Sequence, residues 1–159
     1  MAAGVTRAAL PTAVDALKAL AHPGRLRMLA MLRGGDLCVC QMTAVLELAA
    51  STVSSHLSDL RRAGLVTEHK SGKWVRYHLV DAGPLADLVR HTLSLANGDD
   101  RLGRDAQVVD ALRRVSLDLL CRMDLDLKAV GVDPAPRPST RRLRARRSDR
   151  KARAVRLDR

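Results

Sequence analysis

Ser51-Thr52-Val53-Ser54-Ser55-His56-Leu57-Ser58-Asp59-Leu60-Arg61-Arg62-Ala63-Gly64 runs directly into Leu65-Val66-Thr67-Glu68-His69-Lys70, Ser71-Gly72 and Lys73-Trp74-Val75-Arg76-Tyr77-His78-Leu79. In the first run Val53, Leu57 and Leu60 recur at helical spacing, Ser51 is a candidate N-cap, and Gly64 is a stop signal. The next two runs carry β-branched and aromatic residues in alternation around a Ser-Gly turn, which predicts a hairpin over 65–79. A short helix is expected just before, over 40–48, from Met42, Val45, Leu46 and Leu48, joined to the helix at 51–63 through Ala49-Ala50. Two short helices and a tight turn make a helix-turn-helix, and a basic hairpin after it makes a wing. Thr52, Ser54, Ser55, His56, Arg61 and Arg62, with Ser51 at the front, form the polar face of the second helix. That distribution suits base edges at its start and phosphate at its end. Lys70, Lys73 and Arg76 would serve the wing.

Working outward, Val14, Leu17 and Leu20 predict a helix over 12–21, broken by His22-Pro23. Pro23 suits the first position of a second helix over 23–33, with Leu26, Leu29, Ala30 and Leu32 inward and Gly34-Gly35 at its end. Later helices are expected at 83–97 and 105–129. In the last, Val108, Leu112, Val115, Leu119 and Met123 form an apolar stripe assigned to a dimer interface. The domain reading is a flexible N-terminus at 1–11, a winged domain at 12–98, a helical extension at 99–132, and a Pro-containing linker with a disordered Arg-rich tail at 133–159.

The 159 residues carry a net charge of +11, with 47% hydrophobic residues, one Trp, one Tyr and no Phe. An interior of Leu, Val, Ala and Met suits helix packing. The charge is uneven. Residues 137–159 hold 11 of the 28 basic residues and 2 of the 17 acidic ones, so most of the excess sits in the tail. Such an arm attracts phosphate without reading sequence. No uncharged run approaches the roughly 18 residues of a membrane span. A cytoplasmic, membrane-free protein is expected.

Chemistry concentrates at Leu37-Cys38-Val39-Cys40-Gln41-Met42. In a regular helix, i and i+2 point to nearly opposite sides, so a C-x-C that chelates one ion asks for non-helical backbone. Ligand binding and helix are therefore expected to compete at this point. Three cysteines are no disulfide framework, and an i, i+2 pair is poorly placed for an unstrained bridge, so reduced thiols are expected. The histidines show no clustered ligand spacing. The C-x-C lacks the spacing of a dithiol redox enzyme, and no nucleophilic triad or phosphate loop stands out, so the chain is read as a non-enzyme without an organic cofactor.

Leu20-Ala21-His22-Pro23-Gly24-Arg25-Leu26, Asp36-Leu37-Cys38-Val39-Cys40-Gln41-Met42, Ser51-Thr52-Val53-Ser54-Ser55-His56-Leu57 and Gly72-Lys73-Trp74-Val75-Arg76-Tyr77 together resemble the ArsR/SmtB family of winged-helix metal sensors, in its arsenite-responsive branch. The resemblance implies a homodimeric repressor that holds a palindromic operator when metal-free and leaves it when metal binds. It implies Cys38 and Cys40 as thiolate ligands for As(III) or Sb(III). The branch often carries a third Cys where this chain has Thr43, so a third sulfur would come from Cys121 or an exogenous thiol, or be absent. Neither the N-terminal cysteines of cadmium sensors nor a full set of late-helix zinc ligands is present, Asp87 and His91 being the nearest approach. A thiol-based redox or persulfide sensor on the same scaffold, and a non-specific nucleic-acid binder acting through the tail, are the rival readings.

Overall fold

The computed structural model describes residues 10–133. The readings of a flexible N-terminus and of an Arg-rich tail fall almost wholly outside them. The chain forms α1 (Leu10–Leu20), α2 (Pro23–Leu32), β1 (Leu37–Cys38), α3 (Val39–Leu46), α4 (Ala50–Arg62), β2 (Val66–Ser71), β3 (Trp74–Leu79), α5 (Pro84–Ser94), α6 (Asp100–Leu112) and α7 (Leu117–Arg122). This is the mainly helical winged helix-turn-helix that the sequence predicts.

The breakers act as expected. His22 is extended and its Nδ1 accepts the Gly24 and Arg25 amides, which caps α2 with Pro23 in the first turn. Glu47 takes a left-handed conformation, and the chain turns into α4 within three residues. The N-cap of α4 is consequently Ala49, with no side-chain bond, and the expected cap Ser51 lies inside the helix. Ser51 is therefore exposed on the first turn of the helix.

The sheet has three antiparallel strands in the order β1-β3-β2, with Leu37 opposite Tyr77, Cys38 opposite Arg76, and the hairpin in register from Val66–Leu79 to Ser71–Trp74. Gly72, at φ +61°, opens the two-residue turn. The strand at Leu37–Cys38 has no counterpart in the sequence reading. Met28, Leu29, Leu37, Met42, Val53, Leu57, Leu60, Leu65, Leu112 and Leu120 are fully buried and form the centre of the core.

The single helix expected over 105–129 is two. Asp99 caps α6 through the Arg101 and Leu102 amides, so that helix begins five residues early. The chain then breaks after Leu112, and Ser116 caps α7 by accepting the Leu119 amide. The break shifts the phase. Leu120 is buried in place of Leu119, which with Met123 is 39% exposed. α6 packs on α2 and α3, and α7 packs on α3. Both late helices therefore lie against the element that bears the thiols.

Candidate metal centre and nucleic-acid interface

Cys38 is at once the last residue of β1 and the N-cap of α3, with extended backbone (φ −93°, ψ 166°) and 2% exposure. Its amide donates to Oε1 of the buried Gln41 at 3.1 Å, which holds the strand end against the first helical turn. Cys40 is in that turn. Because the strand-to-helix boundary runs between them, the two side chains come to one side with α3 intact from Val39 onward. One extended residue at the cap supplies the non-helical backbone that a paired C-x-C asks for. The Cα atoms are 5.5 Å apart, within the ordinary span of a bridged pair, and the structure joins the sulfurs as a disulfide. This corrects the expectation of free thiols, and the reason is the same boundary.

Cys38, Cys40, Thr43, Trp74, Cys121 and Leu125 are among the residues lining one cavity of about 510 Å³, open to solvent between α3, β3 and α7. Cys121 is a free, half-buried thiol. Burial pushes its pKa up and the Asp118 carboxylate adds to this, while Lys73 opposes both. Oγ1 of Thr43 is buried there without a hydrogen-bond partner. Among the described residues no three His, Cys, Asp or Glu side chains stand close enough together to enclose an ion. Cys121 thus shares the cavity of the pair without completing a ligand set in this conformation. Once reduced, Cys38 and Cys40 would offer two thiolates on one side of the α3 start, a donor type suited to a soft thiophilic ion, and Cys121 lines the same cavity.

On α4, Ser51, Thr52, Ser54, Ser55, Arg61 and Arg62 are exposed. His56 is placed differently from the rest of that face. Its ring lies against that of His22, tilted by 48° with centroids 4.4 Å apart, facing the start of α2. Burial, then His22 and Arg25, hold its imidazole below the ordinary value against the pull of Asp59. Arg25 reinforces the joint: it donates to the carbonyls of Ala19 and Lys18 at the end of α1 and reaches Asp59 of α4 at 3.4 Å. Arg61 pairs with Glu68 of β2, and Arg62 with Asp59.

On the wing, Lys70 is exposed. Lys73 pairs with Asp118 of α7, its ammonium 5.3 Å from the centroid of the Trp74 ring. Arg76 is half-buried, opposite Cys38, in a smaller cavity of about 270 Å³ with Asp36, Gln41 and Arg113. The sequence reading missed a cluster at the wing base. Asp36, just ahead of β1, accepts from His78 at 2.7 Å and lies 3.4 Å from His69, a pairing created by the hairpin register. His91 is solvent-facing, with Nδ1 2.7 Å from the Asp87 carbonyl oxygen, and Asp87 pairs with Arg90.

Residues 22–68, from the α2 cap into the wing, match the model of the family described as bacterial regulatory protein, arsR family. The arsenic resistance transcriptional regulator ArsR1 of Pseudomonas putida is 46% identical over 63 residues, 39% of this chain and 49% of that protein. An uncharacterized HTH-type transcriptional regulator of Methanocaldococcus jannaschii, MJ1325, is 39% identical over 70 residues, 43% of this chain and 79% of that protein. Among solved structures, the transcriptional repressor BigR from Xylella fastidiosa is similar at a TM-score of 0.50 and 27% identity, covering 55% of this chain and 86% of that one. The chain belongs to the arsR family, a class of transcription regulators and not of enzymes. It spans about half the length of the first of these relatives. Among the described residues no helix is long and apolar enough to cross a membrane.

Proposed function

We propose that the protein is a cytoplasmic, metalloid-responsive repressor that binds a palindromic operator as a homodimer and leaves it when As(III) or Sb(III) binds Cys38 and Cys40, with Cys121 as third sulfur. The observation that carries this is the convergence of the Cys38 and Cys40 side chains at the start of α3, the helix that packs on α4. The arsenic-resistance role printed for the Pseudomonas putida relative supports the choice of inducer. Ser51, Thr52, Ser54 and Ser55 would meet base edges, while Arg61, Arg62, Lys70, Lys73 and Arg76 would meet phosphate. His56 would act by fixing the angle of α4 through its tilted ring contact with His22. Leu10, Val14 and Leu17 on α1 and Leu95 after α5 are exposed apolar groups suited to the dimer contact. The winged domain at 12–98 would then read DNA, and 99–132 would complete the inducer site. Beyond it, the basic tail at 133–159 would add phosphate contacts.

The pair binds metalloid as thiols, so the Cys38–Cys40 bond is first reduced by a small-molecule thiol. To take operator occupancy from about 99% to about 1%, the ligand must favour the released state by about 5.5 kcal/mol. The test is arsenite titration of reduced protein on labelled operator DNA, with sulfur counting by X-ray absorption. Release is expected in the parent and absent in Cys38→Ser/Cys40→Ser, and the sulfur count is expected to fall from three to two in Cys121→Ser. Equal release by the double variant would remove the pair from the site.

The disulfide itself favours a second reading, in which oxidation of the pair is the signal. Release by a dithiol oxidant combined with indifference to arsenite would establish it in place of the first.

A further inference from the structure

Lys73, at the wing tip, is not free. Lys73 is held by Asp118, and Asp118 lies three residues before Cys121 on the same short helix, one turn away on the same side. Cys121 faces the cavity of the thiol pair, which Trp74 and Val75 of the wing strand also line. A ligand in that cavity therefore touches α3, the wing and α7 together. Resting on the metalloid reading above, we propose that Asp118 is the positioning residue through which ligand binding reaches DNA: when Cys121 joins the bound metalloid, α7 is fixed with Asp118 on Lys73, and the carboxylate displaces operator phosphate from that lysine.

The chemistry balances without a further reactant once the pair is reduced. Each of three thiols gives its proton to a hydroxide of arsenous acid, three As–S bonds replace three As–O bonds, and three waters leave. The consequence for α7 follows from its construction. It is six residues long, anchored by Leu120 alone among buried side chains and capped by Ser116. Its charged contact with the wing is an ion pair whose side chains are 66% and 55% exposed, a contact that phosphate can outcompete. A third As–S bond replaces that loose attachment with a covalent one. The intramolecular carboxylate then competes at a high effective concentration. A second carboxylate, Asp124, lines the same cavity and adds like-charge repulsion toward an approaching phosphate.

The experiment measures binding of reduced full-length protein, kept in a phosphine reductant, to a labelled duplex that the protein has selected from a random pool. Parent, Asp118→Asn, Lys73→Gln and the double variant are compared with and without arsenite, and arsenite binding is followed separately by thiolate-to-arsenic absorbance. Asp118→Asn is expected to raise metal-free affinity about two- to fivefold and to shrink the arsenite-induced loss by a comparable factor, with arsenite affinity unchanged. In the Lys73→Gln background the same substitution is expected to do nothing. An equal effect of Asp118→Asn in both backgrounds, or none in either, overturns the proposal. If arsenite fails to bind or to release the parent, the metalloid reading fails by itself, because the metal-free Asp118–Lys73 coupling is read independently of arsenite.

Discussion

The Arg27–Asp105 and Lys73–Asp118 ion pairs tie α6 and α7 to the winged core, and they are built differently. Arg27 of α2 meets Asp105 of α6 with two parallel bonds, Nε to Oδ2 at 2.6 Å and Nη2 to Oδ1 at 2.8 Å, between side chains only 19% and 8% exposed. Lys73 of the wing meets Asp118 of α7 in open solvent. The first pair has rigid bidentate geometry and little competition from water, and it sits beside Val108, Val109 and Leu112 in the core. The second joins a point charge on a flexible stem to a carboxylate on a six-residue helix. α6 is tied to the core by a buried bidentate pair, whereas the charged contact of α7 with the wing lies in solvent.

The sharpest way to break this contrast is to remove each carboxylate. Asp105→Ala leaves the Arg27 guanidinium largely buried and without its partner, and is expected to cost about 3 kcal/mol, lowering the melting temperature by about 10 °C. Asp118→Asn should leave the melting temperature within about 2 °C of the parent. Thermal unfolding followed by circular dichroism reads both. Comparable losses for the two variants would mean that α7 is as integral as α6.

A smaller effect isolates α7. Ser116→Ala removes the acceptor for the Leu119 amide, and a lost cap of this kind costs about 1 kcal/mol. The amides of Leu120 and Met123, which bond back to Ser116 and Leu119, should exchange with deuterium about fivefold faster, while those of α6 stay as they were. Acceleration in both helices together would make them one cooperative unit and remove α7 from the mechanism.

The same contrast separates what could be read in the sequence from what could not. α1 to α5 and the hairpin were legible because their signals are local: Pro23, Gly34-Gly35, Gly64 and Gly72 punctuate apolar periods that each element satisfies alone. The stripe Val108, Leu112, Val115, Leu119, Met123 suits one long helix as well as two short ones, and periodicity cannot locate a break within it. Asp99 and Ser116, both cap residues, were the available signals. β1 was out of reach, since two residues become a strand only by pairing with Tyr77 and Arg76. The candidate site divides likewise. Cys38 and Cys40 are visible as a spacing, but the extended cap that brings their sulfurs together depends on β1. The placement of Cys121 in their cavity, the Asp118 hold on Lys73, and the Asp36–His69–His78 cluster are tertiary facts without a sequence period.

Salt gives the finest test, because it acts on the exposed pair and spares the buried one. Raising ionic strength from about 0.1 M to about 1 M shortens the screening length from about 10 Å to about 3 Å. The Lys73–Asp118 contact then loses most of its modest attraction, while the bidentate Arg27–Asp105 pair, shielded by the core, keeps its own. Trp74 is the only tryptophan of the chain, stands under the Lys73 ammonium and lines the thiol cavity, so its fluorescence reports on the junction of wing and α7. Its quenching by neutral acrylamide should rise with salt by less than about twofold in the parent, as α7 spends more time away from the wing. In Asp118→Asn it should start at the higher value and barely respond. Quenching that ignores both salt and the substitution would show that something other than this ion pair holds α7 to the wing, and the distinction between a fixed α6 and a releasable α7 would have to rest on the buried Leu120 alone.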